Sequence, residues 1–434
     1  MVSNSDLSPI GADMPATYYH ATRSNFPALP KLKEMVEADV CVIGGGLTGV
    51  STALNLTERG YSVVLLESHR IGHGASGRNG GQLVSSYSCD MNRIRQEVGV
   101  EASKTFWEMG VEALAEVDAR VARHTIACDQ RSGYFFAALN QRQMDGLAEM
   151  HEEWRDLYGY EQTTPISRED VGAWVGTDIY HGGVVDTGGG HIHPLNYLYG
   201  LARAAITSGA RVFERSAVVK IERGTKPTVH TESGRVRASI LVLAGNAYLS
   251  GLVPEMLQRL ARVSSFVATT EPLAPDLAAQ IMPANVAVAD CNAALDYYRL
   301  TADRRLLFGA GASYTGREPL ALRGYLSGRI RKVFPILTDI PLAYAWSGHI
   351  GITVSRIPDF GRLEPSIYYA QGFSGHGVAL TGLAGKLMAE AISGDAERFD
   401  MFATIKHRRF PGGPARTAAL VLAMAYYKLK DRLG

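Results

Sequence analysis

The most regular pattern in the chain is a pair of apolar runs joined by a glycine-rich turn and an amphipathic stretch. Residues 40–43 and 63–66 are continuous apolar runs, which is typical of buried parallel strands. Small and apolar residues recur between them at helical spacing, namely Val50, Ala53, Leu54 and Thr57. That pattern stops at Gly60, a residue type that ends helices. The sequence therefore predicts a strand–helix–strand unit over residues 39–67.

Periodicity predicts further elements along the rest of the chain. Helices are predicted over residues 92–125, 141–158, 194–208 and 320–334. Strands are predicted over residues 133–139, 183–186, 212–222, 239–244 and 367–371. Alternating β-formers between positions 264 and 308 predict a second sheet, whereas residues 1–35 are expected to form a loose arm before the first strand.

The turn after the first strand has the chemistry of a dinucleotide site. Its glycines are Gly44, Gly45, Gly46 and Gly49. They let the backbone turn sharply, approach a pyrophosphate and pack closely against the helix. Glu67 follows Gly46 by 67 − 46 = 21 positions, where a carboxylate accepts the ribose hydroxyls of an adenosine and repels a 2′-phosphate. The alternative is a glycine-rich turn of an unrelated α/β fold, which does not explain the coincidence of strand, helix, strand and acid.

A second glycine-rich turn follows a predicted strand near the C-terminus. Residues 372–377 read Gly-Phe-Ser-Gly-His-Gly and lead into a stretch with apolar residues at helical spacing. A helix N-terminus directed at a ligand suits the reduced ring of a flavin, which gathers negative charge, whereas a nicotinamide has no use for it. FAD is therefore favoured over NAD, and a strand–helix turn with only a packing role is the alternative.

Two further segments are rich in small residues. The glycines of residues 72–83 allow close approach to a flat ligand, so we expect Ser76 and Arg78 at the pyrophosphate and residues 79–83 along the flavin edge. A flexible surface loop is the alternative for this segment. The apolar strand over residues 241–246 ends in small residues, where the chain can pass close to the cofactor.

Composition narrows the class of protein. The 434 residues include 44 basic and 43 acidic side chains, and the formal charge of +1 argues against a nucleic-acid or anionic-membrane surface. The four cysteines are isolated, as free thiols in a reducing compartment would be. The chain shows neither a secretory signal nor an apolar run of about 18 residues. We therefore expect a two-domain cytoplasmic enzyme without a membrane span.

Together these motifs resemble those of the FAD-dependent amine oxidoreductases of the D-amino-acid oxidase, glycine oxidase and sarcosine oxidase superfamily. The resemblance rests on the turn 44–49, Glu67, residues 74–81, residues 243–245 and the turn 372–377. More narrowly, residues 191–196, 296–301 and 375–377 resemble the bacterial gamma-glutamylputrescine oxidoreductases. The likeness runs from about residue 18 to residue 434, and its cofactor motifs are more specific than its substrate motifs.

The resemblance implies an α/β fold, in which a Rossmann-like FAD-binding domain carries an inserted α+β substrate domain built on a largely antiparallel sheet. It implies that residues 36–90, 191–246 and 342–434 form the discontinuous FAD-binding domain. Residues 91–190 and 247–341 would then form the substrate domain. The FAD is expected to be noncovalent, although His73 lies in the loop where some related enzymes attach it.

The resemblance and the motifs also predict the residues at the cofactor. These are Gly44, Gly45, Gly46, Thr48, Gly49, Glu67, Ser68, Ser76, Arg78, Asn79, Gly80, Gly81, Gln82, Leu83, Val219, Ala244, Gly245, Gly348, Gly372, Phe373, Ser374, Gly375, Gly377 and Val378. No metal site is expected.

Amine oxidation constrains the environment of the substrate nitrogen. The amine must be neutral to lose a hydride from the adjoining carbon to a flavin, yet an alkylammonium has an unperturbed pKa near about 10.4. Burial against an aromatic wall lowers that pKa. The candidates for such a wall are Tyr297, Tyr298, Trp346 and Phe373. A histidine that takes the proton is the alternative.

The catalytic candidates are His376, Tyr298, Arg299 and Trp346. His376 either faces the flavin or substrate or is hydrogen-bonded within its turn. Arg299 either binds a glutamyl carboxylate through its guanidinium fork or faces solvent from its strand. His191 and His193 lie on one face of an extended strand, but no third ligand is near in sequence, so packing beside the cleft is favoured over metal binding.

The leading hypothesis is FAD-dependent oxidation of an amine in polyamine catabolism. By resemblance, gamma-glutamylputrescine would give gamma-glutamyl-gamma-aminobutyraldehyde with release of ammonia and hydrogen peroxide. The second hypothesis is an oxidase or dehydrogenase of a secondary amine or N-methyl amino acid, and the third is a non-catalytic flavin-binding protein. Oxygen is one candidate electron acceptor, and the oligomeric state is left open. The basic stretch 425–430 is expected to be a packed terminal helix rather than a membrane-surface one.

Overall fold

The computed structural model describes residues 16–249, 251–316, 318–410, 418 and 420–422, so the stretch 425–430 lies outside the described residues. The helices are α1 Tyr18–Ala21, α2 Leu47–Thr57, α3 Met91–Val98, α4 Val100–Arg123, α5 Gln141–Tyr158, α6 Pro194–Thr207, α7 Pro254–Leu257, α8 Pro275–Ile281, α9 Leu322–Val333, α10 Gly377–Ile392 and α11 Glu397–Ala403. The strands are β1 Met35–Ile43, β2 Val63–Leu66, β3 Gln82–Leu83, β4 Arg131–Ala138, β5 Thr163–Ile166, β6 Gly182–His191, β7 Arg211–Phe213, β8 Val218–Glu222, β9 Thr228–Thr231, β10 Arg235–Leu243, β11 Ala261–Thr270, β12 Ala287–Asp290, β13 Asp296–Leu300, β14 Leu306–Ser313, β15 Leu342–Ile352, β16 Asp359–Glu364 and β17 Ile367–Gln371. The predicted helices and strands are present, although the strand predicted over residues 212–222 divides into β7 and β8.

The first sheet has the strand order β16-β17-β10-β1-β2-β7, and the hairpin of β8 and β9 joins it through β10. Strands β1, β2, β7, β10 and β17 run parallel, which confirms the predicted strand–helix–strand unit. Leu243 lies in register with both Ile43 and Tyr369. The carboxyl ends of β1, β10 and β17 are therefore neighbours at one edge of the sheet, although they are far apart in sequence.

Helices α2 and α10 pack against each other beside this sheet. The Ser51 hydroxyl donates to the carbonyl of Gly382 at 3.0 Å. Helix α4 joins them through ion pairs, because Glu112 accepts from Lys386 and Glu58 accepts from Arg120. Helix α4 therefore contacts the nucleotide-binding layer, although it lies within residues 91–190, and the expected assignment of that range to the substrate domain stays a prediction.

The second sheet has the order β15-β11-β14-β13-β12-β4-β6-β3, with β5 on β6. Among its described pairings only β4 with β12 is parallel, which confirms a largely antiparallel second sheet. One face of this sheet is covered by a core that includes residues of α8 and α9. Strand β15 pairs with β11 along its length, so residues 342–352 belong to the second sheet, and the domain boundary expected at residue 342 stays a prediction.

The described part of the N-terminal arm is packed, which corrects the expectation of a loose arm. Tyr18 and Tyr19 of α1 are buried, and the ring of Phe26 stacks on Tyr199 of α6 with centroids 4.5 Å apart. The amide of Leu29 donates to the Glu214 carboxylate at 3.1 Å. Residues 16–34 therefore follow the surface of both sheets before the chain enters β1. In the described ranges no helix combines the length and the apolar character needed to cross a bilayer.

A buried acid pair lies at one end of the second sheet and makes the stability of the protein depend on pH. Asp290 accepts hydrogen bonds from the amide and side chain of Asn292 at 3.0 and 3.2 Å. Burial, together with the nearby negative charge of Asp296, raises the pKa of Asp290 to about 7. Asp296 itself is held by a two-pronged contact from Arg329 at 3.0 and 2.7 Å. Asp290 is therefore the member of the pair whose charge is less well compensated.

We expect Asp290→Asn to stabilise the protein at pH 8 and to change little at pH 4. Because the folded pKa is raised, the contribution of Asp290 is fully present below its unfolded pKa of about 4 and is lost as the pH rises through about 7. Removing the charge should raise the free energy of unfolding at pH 8 by about 1–4 kcal/mol. Urea titrations at both pH values measure this, with the exposed Asp339→Asn as control; equal effects of Asp290→Asn at the two pH values would contradict it.

Candidate active site

The glycine turns of the sequence meet at the carboxyl edge of the first sheet. Gly44 donates its amide to Leu66 at 2.9 Å and accommodates no side chain, because an added Cβ would lie 2.9 Å from the Ala244 carbonyl carbon. The amide of Gly372 donates to the Asn246 side chain at 3.0 Å, just past Gly245. Three segments separated by more than a hundred residues therefore form one surface, as expected at the ligand-binding edge of an open parallel sheet.

Glu67 fastens the first turn. Its Oε2 accepts the amide of Gly45 at 2.6 Å, and its Oε1 accepts from the Ser68 hydroxyl and the His69 amide at 3.0 and 2.9 Å. The carbonyl of Glu67 also accepts the amide of Ser216, which brings the start of β8 beside the acid. Val219 in that strand is 58% exposed, an unusual state for a valine. An acceptor next to an exposed apolar side chain fits the ribose and base of an adenosine.

The N-terminus of α2 presents backbone amides at the same edge. The helix begins after Gly46, and the Leu47 amide donates to the Ser76 hydroxyl at 2.9 Å. The first-turn amides of Thr48 and Gly49 have no acceptor within the helix, which is the usual arrangement for binding a phosphate. Ser76 therefore lies where it was predicted, against the turn, although its predicted contact with a pyrophosphate stays a prediction.

The loop over residues 72–83 is ordered by its own side chains, which corrects the alternative of a flexible surface loop. Asn79 donates to the carbonyls of Ala75 and Ser76 at 3.0 and 3.1 Å and accepts the amide of Gly81 at 2.8 Å. Arg78 donates to the carbonyl of His73 at 2.7 Å. The side chains of Asn79 and Arg78 thus brace the loop itself, so their predicted contacts with FAD would use other atoms or another rotamer.

The end of the loop runs onto the second sheet. Gln82 donates to the Val288 carbonyl at 2.9 Å, and Leu83 is buried. An apolar surface of the sheet lies beside it, and its members are Val84, Tyr134, Ala287 and Ala289, with Phe136, Leu295 and Tyr297 packed against them. This surface and the carboxyl edge of the first sheet flank the same loop, so the two predicted halves of the site are brought together.

The tyrosine pair of β13 divides between the two faces of its sheet. An added Cβ on Gly80 would lie 2.5 Å from the Tyr297 ring, so Tyr297 faces the loop. Tyr298 is fully buried on the opposite face, where its hydroxyl donates to Tyr180 at 2.9 Å and its ring stacks on Phe308. The prediction of Tyr298 as a catalytic residue is therefore wrong, because alternation along a strand points Tyr297 to the site instead.

Arg299 is also placed differently from either prediction. The side chain is 2% exposed and donates to the carbonyls of Gly80, Leu300 and Ile192 at 2.8, 3.1 and 3.0 Å and to the Tyr19 hydroxyl at 3.1 Å. These bonds occupy four of the five N–H groups of a guanidinium. Arg299 neither faces solvent nor offers a free fork to a carboxylate, so its predicted role as substrate ligand is wrong.

Trp346 and Gly348 lie on the β15 face that contacts the loop. The indole N–H of Trp346 donates to the Arg78 carbonyl at 2.8 Å, and the side chain is 5% exposed. An added Cβ on Gly348 would lie 3.4 Å from the Cβ of Arg78. Trp346 therefore supports the loop, and a direct contact between this ring and substrate stays a prediction.

The second glycine turn is held by its own polar groups. The Ser374 hydroxyl donates to the Gly372 carbonyl at 3.0 Å, and the Ser374 carbonyl accepts from Ser88 at 2.7 Å. Phe373 is buried against Phe360. Gly375 has φ +107°, with open space where a Cβ would lie, and α10 follows with Gly377 and Val378 in its first turn. The turn therefore presents backbone rather than side chains to the edge of the sheet.

His376 occupies the N-cap position of α10, where its neutral imidazole makes no capping hydrogen bond. Burial lowers its pKa to about 4, interactions with the backbone of Ser86 and Tyr87 raise it, and the positive charge of Arg356 lowers it. The Nδ1 atom is buried and has no hydrogen-bond partner among the described residues. Such an atom fits an acceptor that completes its bonding with a ligand. The low pKa makes His376 a weak base, which disfavours the alternative in which it takes the proton of the amine.

Arg356 is a residue that the sequence analysis missed. It lies in the loop between β15 and β16 with φ 62°, a conformation that a non-glycine residue adopts rarely. The loop is fixed to the second glycine turn, because the Thr353 amide donates to Ser374 and Ile352 bridges Phe373. The guanidinium forms no ion pair with a described residue, yet its charge acts on His376. A half-buried cation without a partner beside a candidate site is a candidate anion ligand.

The His191 and His193 pair serves the fold. Burial lowers the pKa of each imidazole to about 3, and the charge of Arg299 lowers it further. His193 accepts the Asn196 amide at 3.1 Å as the cap of α6, and its Nε2 lies 3.1 Å from the Thr22 hydroxyl. No group of three or more potential metal ligands occurs within the described ranges. Packing beside the cleft is thus the role that the contacts support.

Comparisons with known proteins agree with this architecture. The family described as FAD dependent oxidoreductase matches residues 39–391. Gamma-glutamylputrescine oxidoreductase of Escherichia coli strain K12 is 45% identical over 421 residues, which cover 96% of this chain and 99% of that protein. The probable oxidoreductase OrdL of Haemophilus influenzae is 39% identical over 423 residues, which cover 96% and 97%. Glycine oxidase from Geobacillus kaustophilus superposes with a TM-score of 0.73 at 20% identity over 86% of this chain and 100% of that one, which confirms the fold class.

Proposed function

The chain belongs to the FAD-dependent oxidoreductase family and oxidises an amine, and we propose that this amine is gamma-glutamylputrescine. Two features carry the proposal: the apolar cluster around Tyr297 beside the loop 72–83, and the Arg356 guanidinium beside the turn 372–377, which forms no ion pair with a described residue. Bound FAD supplies the hydride acceptor for the carbon next to the reacting nitrogen, and hydrolysis of the resulting imine gives the aldehyde and ammonia. The protein must then bind one charged end of the substrate and desolvate the other.

The apolar surface around Tyr297 suits the diaminobutane end of the substrate. Burial raises the pKa of Tyr297 to about 12, so its phenol stays neutral. Ala287 and Ala289 are buried beside it and add no charge. An alkylammonium enclosed by such groups loses the hydration that stabilises its charge, which lowers its pKa toward that of the reactive neutral amine. Of the two adjacent tyrosines predicted for the aromatic wall, we assign this role to Tyr297 rather than to Tyr298.

Arg356 suits the amino-acid end of the substrate. The glutamyl group carries an α-carboxylate, and a guanidinium binds a carboxylate through two parallel hydrogen bonds. Arg356 lies beside the turn 372–377 rather than on the apolar surface, so it can hold the charged end away from the reacting nitrogen. We propose Arg356 as the carboxylate ligand in place of Arg299.

The cofactor residues stay a proposal, supported by where the chain places them. The residues proposed to hold FAD lie along one edge of the first sheet or in the loop next to it. They are the turn 44–49, Glu67, the loop 76–83, Ala244, Gly245 and the turn 372–378. Val219 is proposed to lie at the adenosine, and Gly348 behind the loop. His376 is proposed to offer Nδ1 to the flavin or the substrate. We further propose that the first sheet with α2, α4, α6 and α10 forms the FAD-binding domain and that the second sheet forms the substrate domain.

Turnover of a substrate panel tests the proposed function. The FAD-loaded protein is mixed with gamma-glutamylputrescine, putrescine, glycine and an N-methyl amino acid, without oxygen and then with it. We expect the first compound to bleach the flavin absorbance fastest, and we expect oxygen consumption and peroxide formation after oxygen is admitted. Faster bleaching by the N-methyl amino acid would instead support a secondary-amine substrate. Bleaching without oxygen consumption would show that another electron acceptor is used.

A further inference from the structure

The N-terminal arm carries a side chain that reaches the candidate active-site loop. Tyr19 of α1 is completely buried, although it precedes the nucleotide-binding unit in sequence. Its ring makes an edge-to-face contact with Trp346 at a centroid distance of 5.7 Å. Its hydroxyl accepts a hydrogen bond from Arg299 at 3.1 Å. Tyr19 therefore contacts two residues of the second sheet at once, one on β15 and one on β13.

These two residues hold the loop at two carbonyls that are two residues apart. Trp346 donates to the carbonyl of Arg78 and Arg299 to that of Gly80, each at 2.8 Å. Arg299 also donates to Ile192, whose amide in turn donates to the carbonyl of Gly81 at 2.7 Å. The backbone of residues 78–81 is thus held by hydrogen bonds from Trp346, Arg299 and the amide of Ile192.

Arg299 depends on neutral partners for its place. The guanidinium is buried, and among the described residues it makes no ion pair with a carboxylate. His191 and His193 lie close enough for its charge to lower their pKa values, so they are neutral and do not compensate it. A buried charge without a counter-ion depends on its hydrogen bonds, here together with the Tyr19 ring, whose centroid lies 6.0 Å from the guanidinium carbon, so the loss of any one bond matters more. The Tyr19 hydroxyl is one of the four.

We propose that Tyr19 is a positioning residue that sets the place of the loop 78–81 through Arg299 and Trp346. The inference rests on the proposed function, in which this loop lies along the flavin. The described hydrogen bond and ring contacts of Tyr19 join it to Arg299, Trp346, Tyr18 and His193 and not to the carboxyl edge of the first sheet, although its phenol acts electrostatically on Tyr297. We therefore expect Tyr19 to influence catalysis indirectly, through Arg299 and Trp346.

Tyr19→Phe tests the proposal because it removes only the acceptor of the Arg299 bond. A misplaced loop should lower kcat about tenfold, the equivalent of one hydrogen bond to a charged group, and leave KM within about twofold. The visible circular dichroism of the bound flavin should change as well, because it reports the surroundings of the ring. Tyr18→Phe is the matched control, since Tyr18 is also buried but donates to Asp303 at 2.8 Å.

The control separates positioning from stability. Both variants remove one phenol hydroxyl, buried in Tyr19 and partly buried in Tyr18, and both should lower Tm, but only Tyr19→Phe should alter the flavin signal and kcat. Identical flavin spectra and kcat values for the two variants would overturn the proposal. Arg299→Lys keeps the positive charge but loses the planar guanidinium. It should change the circular dichroism of the flavin in the same sense as Tyr19→Phe, and an unchanged signal would contradict the proposal. If the wild-type protein binds FAD but does not oxidise gamma-glutamylputrescine, the proposed substrate fails while the spectral comparison still tests Tyr19.

Discussion

Arg356→Gln should lower kcat/KM for gamma-glutamylputrescine by about 150-fold and leave kcat/KM for putrescine nearly unchanged. The loss of a two-pronged contact with a carboxylate costs about 3 kcal/mol, which corresponds to that factor. Putrescine has no carboxylate, so the variant removes nothing that this compound uses. Glutamine is shorter than arginine, but it is polar and unbranched at Cβ and tolerates the left-handed backbone about as well, so the loop between β15 and β16 should keep its shape.

Steady-state kinetics with both compounds measure the effect as a substrate-by-variant comparison. Arg356→Lys should fall between the wild type and Arg356→Gln, because an ammonium keeps the charge but not the planar fork. The exposed Arg168→Gln is the control for loss of one positive charge. A parallel fall for gamma-glutamylputrescine and putrescine in Arg356→Gln would mean that Arg356 acts on the fold or the flavin, and the proposed carboxylate contact would then be wrong.

The cofactor half of the site was predictable because its chemistry is local. The glycines around Gly46 and the acid at Glu67 belong to one short unit whose spacing is set by strand and helix geometry. The second turn, 372–377, follows the same logic. Parallel pairing of β1, β10 and β17 then brings these units to one edge without further information.

The substrate half was less predictable because it depends on which face of a strand is covered. Tyr297 and Tyr298 are adjacent in sequence, and only the packing of Phe308 and Tyr180 on one face of β13 decides that Tyr298 is the structural member. A shift of one residue exchanges the faces, so composition alone cannot choose between them. Arg299 was misjudged for a related reason: its partners are backbone carbonyls and a tyrosine from the arm, which leave no trace in the local pattern.

Arg356 was not predicted because no motif in the sequence marks it as a ligand. An arginine in a short loop is usually a solvated surface charge, and only the structure shows that Arg356 forms no ion pair with a described residue and that its charge acts on His376. The arm was misjudged because the apolar residues between positions 16 and 34 show no periodicity, although Tyr19 and Phe26 are buried in the fold. In both cases the deciding contacts join segments that are distant in sequence.

Gly49→Ala should yield a folded protein that has largely lost FAD. An added methyl group at Gly49 would overlap the carbonyl oxygen of Gly44 and lie 3.2 Å from the Val42 side chain. Because the first obstacle is backbone, the strain is relieved only if the start of α2 moves away from the turn. Overpacking of this kind costs about 1–3 kcal/mol. If this strain must be overcome for FAD to bind, the Kd for FAD rises by up to about 150-fold.

Titration of the apoprotein with FAD measures the Kd, and far-ultraviolet circular dichroism shows whether the variant is folded. Gly382→Ala is the control, since Gly382 lies in α10 and nothing lies within 4 Å of an added Cβ there. Alanine at that position should bind FAD like the wild type and stabilise the helix by about 0.5–1 kcal/mol. A Gly49→Ala protein that stays yellow with an unchanged Kd would show that the contact between α2 and the turn does not set the FAD site, and the assignment of the turn 44–49 to the pyrophosphate would have to be abandoned.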